Sequence, residues 1–191
     1  MADLSNVPWN EFTRAAQAQD KISANFIYYE LTKSGIAERL NIENAFRSAK
    51  QERSAIYLCR NVLQPIRDEF GGYSPNSVFR CQDLERALKK KRLPWKSKSQ
   101  HTKGEACDVE IPGLPNMELA RWVTETLEFD QVILECYNVA KGVNSGWVHV
   151  SVKAPGRQRN RRQVLSYVMD PNRGKYVYVN GLTESAEGQS N

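Results

Sequence analysis

Histidine is scarce in this chain: there are two among 191 residues, His101 and His149. Any chemistry resting on imidazole must be built from those two positions. Cysteine is sparse as well. Cys59, Cys81, Cys107 and Cys136 include no C-x-x-C pair, which argues against a zinc ribbon or a thioredoxin-type redox motif. No apolar run approaches the roughly 20 residues of a membrane-spanning helix. The opening Met1-Ala2-Asp3-Leu4-Ser5 lacks a basic stretch followed by an apolar one, so we expect synthesis in a cytoplasm without a signal peptide. In that compartment the cysteines are expected to be free thiols, mostly buried. Neither an internal repeat nor a linker divides the chain.

What is present reads as one soluble α+β domain. Hydrophobic residues make up 40% and charged residues 26%, and the length suffices for a real core. The net charge of +5 favours anionic partners. The cations are concentrated: Arg86 to Lys103 carries eight Lys or Arg and no acid, and Arg157 to Arg162 forms a second cluster. Beyond Trp95 no aromatic is interleaved with them and no reader motif appears, which argues against specific nucleic-acid binding.

Periodicity supplies the elements. Residues 1–21 have helical composition and are expected to form an N-terminal extension. Ala45 to Phe70 carries an apolar stripe at three-and-four spacing, with a bend or break expected at Pro65 and an end at Gly71-Gly72. Ser77 to Arg80 suggests a short strand end, Cys81 to about Lys91 a helix, and Met117 to Leu127 an amphipathic helix. Ala106–Ile111, Asp130–Tyr137, Trp147–Val152 and Lys175–Asn180 read as strands. The tail from Thr183 to Asn191 is polar and expected to fray.

Strand alternation gives the first chemical clue. Asp108 lies on the polar face of its strand with Cys107 pointing the other way, so Cys107 is not a ligand. His149 shares a face with Trp147 and Ser151, opposite Val148, Val150 and Val152. His101 precedes Asp108 by seven residues across Gly104. His101, Asp108 and His149 are suitable zinc ligands, and three protein ligands leave a fourth position open, as in a catalytic rather than a structural site.

These residues carry a resemblance. Ser99-x-His101-x-x-Gly104-x-Ala106-x-Asp108 and Trp147-Val148-His149-Val150-Ser151 resemble the two zinc motifs of the zinc D-Ala-D-Ala carboxypeptidase family of peptidoglycan peptidases, especially its compact phage-type members. Phe129 to Glu135 is similar to the strand between those motifs, and Ser77-Val78-Phe79-Arg80 to a serine-x-tyrosine-arginine segment ahead of them. The likeness runs from about residue 22 to 168. It implies a small antiparallel sheet flanked by helices, the fold shared with the hedgehog signalling domain. Two positions depart: Phe79 replaces the tyrosine, and Gly146 stands where several relatives carry a glutamate three residues before the last histidine.

The resemblance implies a Zn2+ metallopeptidase over residues 22–182, acting on peptidoglycan stem peptides. The bond cut would be the D-Ala-D-Ala terminus (carboxypeptidase) or the L-Ala-D-Glu bond (endopeptidase). A phage endolysin or wall-remodelling enzyme fits, monomeric and acting at the bacterial cell wall, with the basic clusters drawn to anionic wall polymers. With Gly146 in place of the glutamate, Glu135 becomes the expected general base. Arg80 would stabilise the carbonyl oxygen or hold a substrate carboxylate. Ser99 would bind substrate and Trp147 wall the cleft, while Glu105 and Glu110 are expected to be solvated. The rival reading is a zinc-containing, non-catalytic binding module of hedgehog-like fold.

Overall fold

The computed structural model describes residues 1–12, 16–156 and 158–184. Five strands form one sheet: β1 (Ala106–Val109), β2 (Gln131–Glu135), β3 (Trp147–Ser151), β4 (Gln163–Asp170) and β5 (Lys175–Asn180). Their spatial order is β1-β3-β2-β4-β5. The class is α+β with helices flanking the sheet, as expected. The sheet is mixed rather than wholly antiparallel, because β4 returns beside β2 in parallel while the other three pairings are antiparallel. A chain leaving β3 and crossing over β2 before pairing must enter from the same end as β2, which makes that ladder parallel.

The helices are α1 (Gly35–Arg39), α2 (Ala49–Leu58), α3 (Gln64–Phe70), α4 (Gln82–Leu88) and α5 (Asn116–Thr126). Ser48 opens α2 with a capping box, its side chain accepting from the Gln51 amide while the Gln51 side chain returns to the Ser48 amide. No break occurs at Pro65. Cys59–Leu63 forms a π-turn joining α2 to α3, and the Gln64 amide donates to the Cys59 carbonyl. The wider turn takes up the hydrogen bond that proline cannot make and relieves its clash with the preceding turn. Gly71, at φ 81°, ends α3 as expected.

The N-terminal segment departs from its expected helix. Among its described residues the only helical turn is a 3₁₀ turn at Trp9–Glu11, and Asp3 bridges Lys21 in extended backbone. Arg60 is the reason: its guanidinium donates to the carbonyls of Leu4 and Val7, which an α-helix would have used internally, and to that of Ile22 just beyond. Phe12 is buried beneath that guanidinium. The segment is thus part of the same core. Residues 185–191 of the expected tail lie outside the described residues.

The core gathers Phe26, Ile56, Leu63, Phe79, Leu119 and Leu134, all fully enclosed. Phe79 packs with its ring 4.5 Å from that of Phe46. A tyrosine there would have to find a partner for its hydroxyl inside an apolar cluster. Val148 and Val150 point into this core, so the alternate residues of β3 must face the other side of the sheet. No helix is long and apolar enough to cross a membrane among the described residues.

Two glycines set the frame of the site. Gly104, at φ 71°, lies against helix α2, where an added Cβ would sit 2.3 Å from the Gln51 carbonyl oxygen. The Gln51 side-chain amide in turn donates to the Thr102 carbonyl at 2.9 Å. Gly146, at φ 72°, lies against the end of β2, where a Cβ would meet the Glu135 carbonyl oxygen at 1.9 Å. We predict that Gly104→Ala costs about 2–5 kcal/mol, from the left-handed backbone and the overpacking together. For a domain of this size that is a fall in Tm of roughly 5–15 °C, read by thermal unfolding.

Candidate metal centre

β1 and β3 pair in a register that sets Asp108 directly opposite His149. His101 reaches the same point from a 3₁₀ turn at Gln100–Lys103, which the left-handed Gly104 closes. The three side chains, 2%, 6% and 7% exposed for His101, Asp108 and His149, converge at the floor of a cleft of about 560 Å³. His101 Nε2 lies 3.2 Å from Asp108 Oδ1 and 3.3 Å from His149 Nδ1, and His149 Nδ1 lies 3.1 Å from Asp108 Oδ1.

His101 Nδ1 is 2.6 Å from the Val78 carbonyl, which can only accept, so Nδ1 carries a proton. Burial pulls the His101 pKa below its ordinary value, against the opposing charge of Asp108, so the ring is neutral and Nε2 presents a lone pair. Burial by itself would raise the Asp108 pKa. The hydrogen bond with His149 and the charge of Arg80, which donates to Oδ2, outweigh it and hold the carboxyl below the usual carboxylate range. A lone pair and a carboxylate oxygen therefore face each other 3.2 Å apart, an arrangement that a cation between them stabilises.

The triangle has the size of a metal face. Tetrahedral bonds of ~2.0–2.1 Å give ligand-to-ligand edges of roughly 3.3–3.4 Å, against the 3.1–3.3 Å found here. Among the described residues His101, Asp108 and His149 are the group of His, Cys, Asp or Glu side chains placed to hold a metal ion. Cys107 points away and its thiol meets the Val150 carbonyl, as strand alternation requires.

The surroundings orient these groups. Arg80 donates to Asp108 Oδ2, leaving Oδ1 to the triangle, and pairs with the buried Glu85 at 3.1 Å and the Ser77 hydroxyl at 2.8 Å. Its Nη2 also lies 3.1 Å from His101 Nε2. Arg80 is thus firmly held in a clamp on Asp108 while it lines the cleft. Glu135 lines the same cleft at the end of β2, opposite Trp147 on β3. Burial raises the Glu135 pKa and the charge of Asp108 adds to this, with His149, Arg80 and Lys89 pulling the other way. Ser99 and Trp147 also line the cleft, as does Tyr178 from β5. Gly146 explains the departure noted in the sequence: with a backbone carbonyl at 1.9 Å from any Cβ, no glutamate side chain fits there.

Other expectations change. Glu105 is buried rather than solvated, because its backbone continues the sheet edge, donating to Gln100 and accepting from Val152. Glu110 stays partly exposed beside Asn76. Lys89, Lys98, Lys103 and Arg161 from the two basic clusters line the cleft, whereas Arg157 lies outside the described residues.

Asp130 escaped the sequence reading. It is fully buried and ties Gln100, the neighbour of His101, to Lys153 and Arg161. Burial works to raise its pKa, but the hydrogen bonds from Arg161 and Lys153 prevail and hold it at about 2. Its pairing therefore stabilises the fold fully above the ordinary value of 3.8, and that contribution is lost as pH falls through about 2. We predict that Asp130→Asn is less stable than the parent at neutral pH, and that the gap closes between pH ~4 and ~2 in denaturant unfolding.

No family model, curated protein or solved structure matches this chain.

Proposed function

We propose that this chain is a zinc-dependent peptidase that hydrolyses an amide bond in peptidoglycan stem peptides. One observation carries the chemistry: two imidazoles and a carboxylate form a metal-sized triangle at the floor of a cleft that also holds a separate, half-buried carboxylate, Glu135. The substrate class rests on the resemblance of the two motifs around His101 and His149.

His101, Asp108 and His149 would hold zinc, and the ion when bound acidifies water and polarises a carbonyl. Glu135, its pKa raised by burial first and by Asp108 second, is suited to accept a proton from the attacking water and return it to the leaving amine. Arg80 keeps Asp108 turned with one oxygen to the triangle, and its Nη2 puts positive charge beside the place where carbonyl oxygen charge develops. Ser99 and Trp147 line the path of the peptide. Lys89, Lys98 and Lys103 on the rim favour anionic wall material, in keeping with a phage-type lytic enzyme. Binding to intact walls is then expected to weaken as added salt shortens the Debye length below ~8 Å.

The test is incubation with defined muropeptides, with and without chelator, followed by mass spectrometry. Loss of one terminal alanine, abolished by chelator and restored by zinc, identifies a carboxypeptidase. Cleavage between L-Ala and D-Glu under the same control identifies an endopeptidase. A zinc-loaded protein that leaves every stem peptide intact contradicts hydrolysis and leaves the binding module.

A further inference from the structure

The loop between α4 and the His101 turn stands out into solvent. Residues 87–94 are exposed without interruption. Lys89, Lys90, Lys91, Arg92, Lys96 and Lys98 put six cations into ten residues, with no acid among them. None of the six forms an ion pair among the described residues. Among them stands Leu93, 74% exposed, with Leu88 at 37% and the half-buried Trp95 nearby.

The loop is held at its base and open at its tip. The Gln82 side chain grips both backbone groups of Ser97, donating to the carbonyl at 3.1 Å and accepting from the amide at 2.8 Å. The Ser97 hydroxyl donates to the buried Glu85 at 2.8 Å. The Trp95 amide closes a turn on the Arg92 carbonyl at 3.0 Å, with Leu93 at its outer corner. A basic loop that served solubility alone would carry a polar residue at that corner.

We infer that this loop docks the protein on the surface of an anionic lipid bilayer. Its Lys and Arg side chains are attracted to negatively charged headgroups, and their long stems keep the charges at headgroup level while the tip goes deeper. Leu93 enters the acyl boundary, and Trp95 lies at the interface that favours indole. Shape selects a surface over a thread. Nucleic acid or a wall polymer is held by a groove that tracks its charges, whereas residues 87–94 make a convex tip. A chain of phosphates also offers nothing to Leu93. Lys89 and Lys98 line the cleft as well, so docking sets the mouth of the cleft beside the bilayer. This binding needs neither the metal nor hydrolysis.

The experiment sediments the full chain, in chelator, with vesicles of phosphatidylcholine alone or with about one third phosphatidylglycerol. Half of the protein is expected on the anionic vesicles at about 1 mM lipid or less, and binding to neutral vesicles at least ~100-fold weaker. Lys90→Gln, Lys91→Gln and Arg92→Gln together should weaken binding roughly 100-fold, about fivefold for each charge. Leu93→Ser should weaken it roughly tenfold with no charge changed. These side chains are exposed, so the fold should be unmoved, which far-UV circular dichroism checks. No binding at about 10 mM lipid, or equal binding to neutral and anionic vesicles, overturns the inference. So does a Leu93→Ser protein that binds as the parent does, or tighter capture of oligo-dT or lipid-free teichoic acid than of vesicles. A chain that docks on anionic vesicles but cuts no stem peptide keeps this inference and loses only the peptidase reading.

Discussion

Replacing His149 by alanine is expected to remove the metal and the activity together. His149 supplies one corner of a triangle whose edges are 3.1–3.3 Å, and two donors cannot hold a divalent ion as three do. Loss of an outer partner of a ligand already costs ~10–100-fold in metal affinity, so loss of the ligand itself should exceed about 100-fold. The strand should survive, because Val148 and Val150 on either side remain buried. Metal content after gel filtration, read with far-UV circular dichroism, checks this. A folded variant that keeps one equivalent of zinc would contradict the ligand assignment.

Replacing Glu135 should separate the metal from the chemistry. Glu135→Gln keeps the shape of the side chain and removes its capacity to accept a proton. We expect kcat to fall roughly 100- to 10,000-fold, with zinc still at one equivalent and KM little changed. Loss in kcat alone is the signature of a group that acts in the transition state. A rate within about threefold of the parent would make Glu135 an anchoring carboxylate.

The convergence of Asp108 and His149 was legible because strands have period two. Asp108 and His149 each alternate with core residues, so both had to leave the core on the same face of adjacent strands. The His101 turn was legible through Gly104, although the reason for glycine, the Gln51 carbonyl at 2.3 Å, lies about fifty residues away in the chain. Strand β4 was not legible. Its residues Gln163–Asp170 alternate only weakly, and its parallel pairing with β2 is a tertiary event. The N-terminal helix failed because Arg60 takes its carbonyls, a choice no local propensity reports. Asp130 and the Arg80 clamp were hidden for the same reason. Their partners stand about thirty positions off, so only the fold brings Asp130 to Gln100 and Arg80 to Asp108.

Zinc titration of the metal-free protein, with amide hydrolysis of a stem peptide followed at each addition, tests the joint role of the triangle and Glu135 most directly. The expected result is activity that is absent without metal, rises linearly, and breaks at one equivalent. Hydrolysis by the metal-free protein, or one tightly bound equivalent with no hydrolysis, would contradict it.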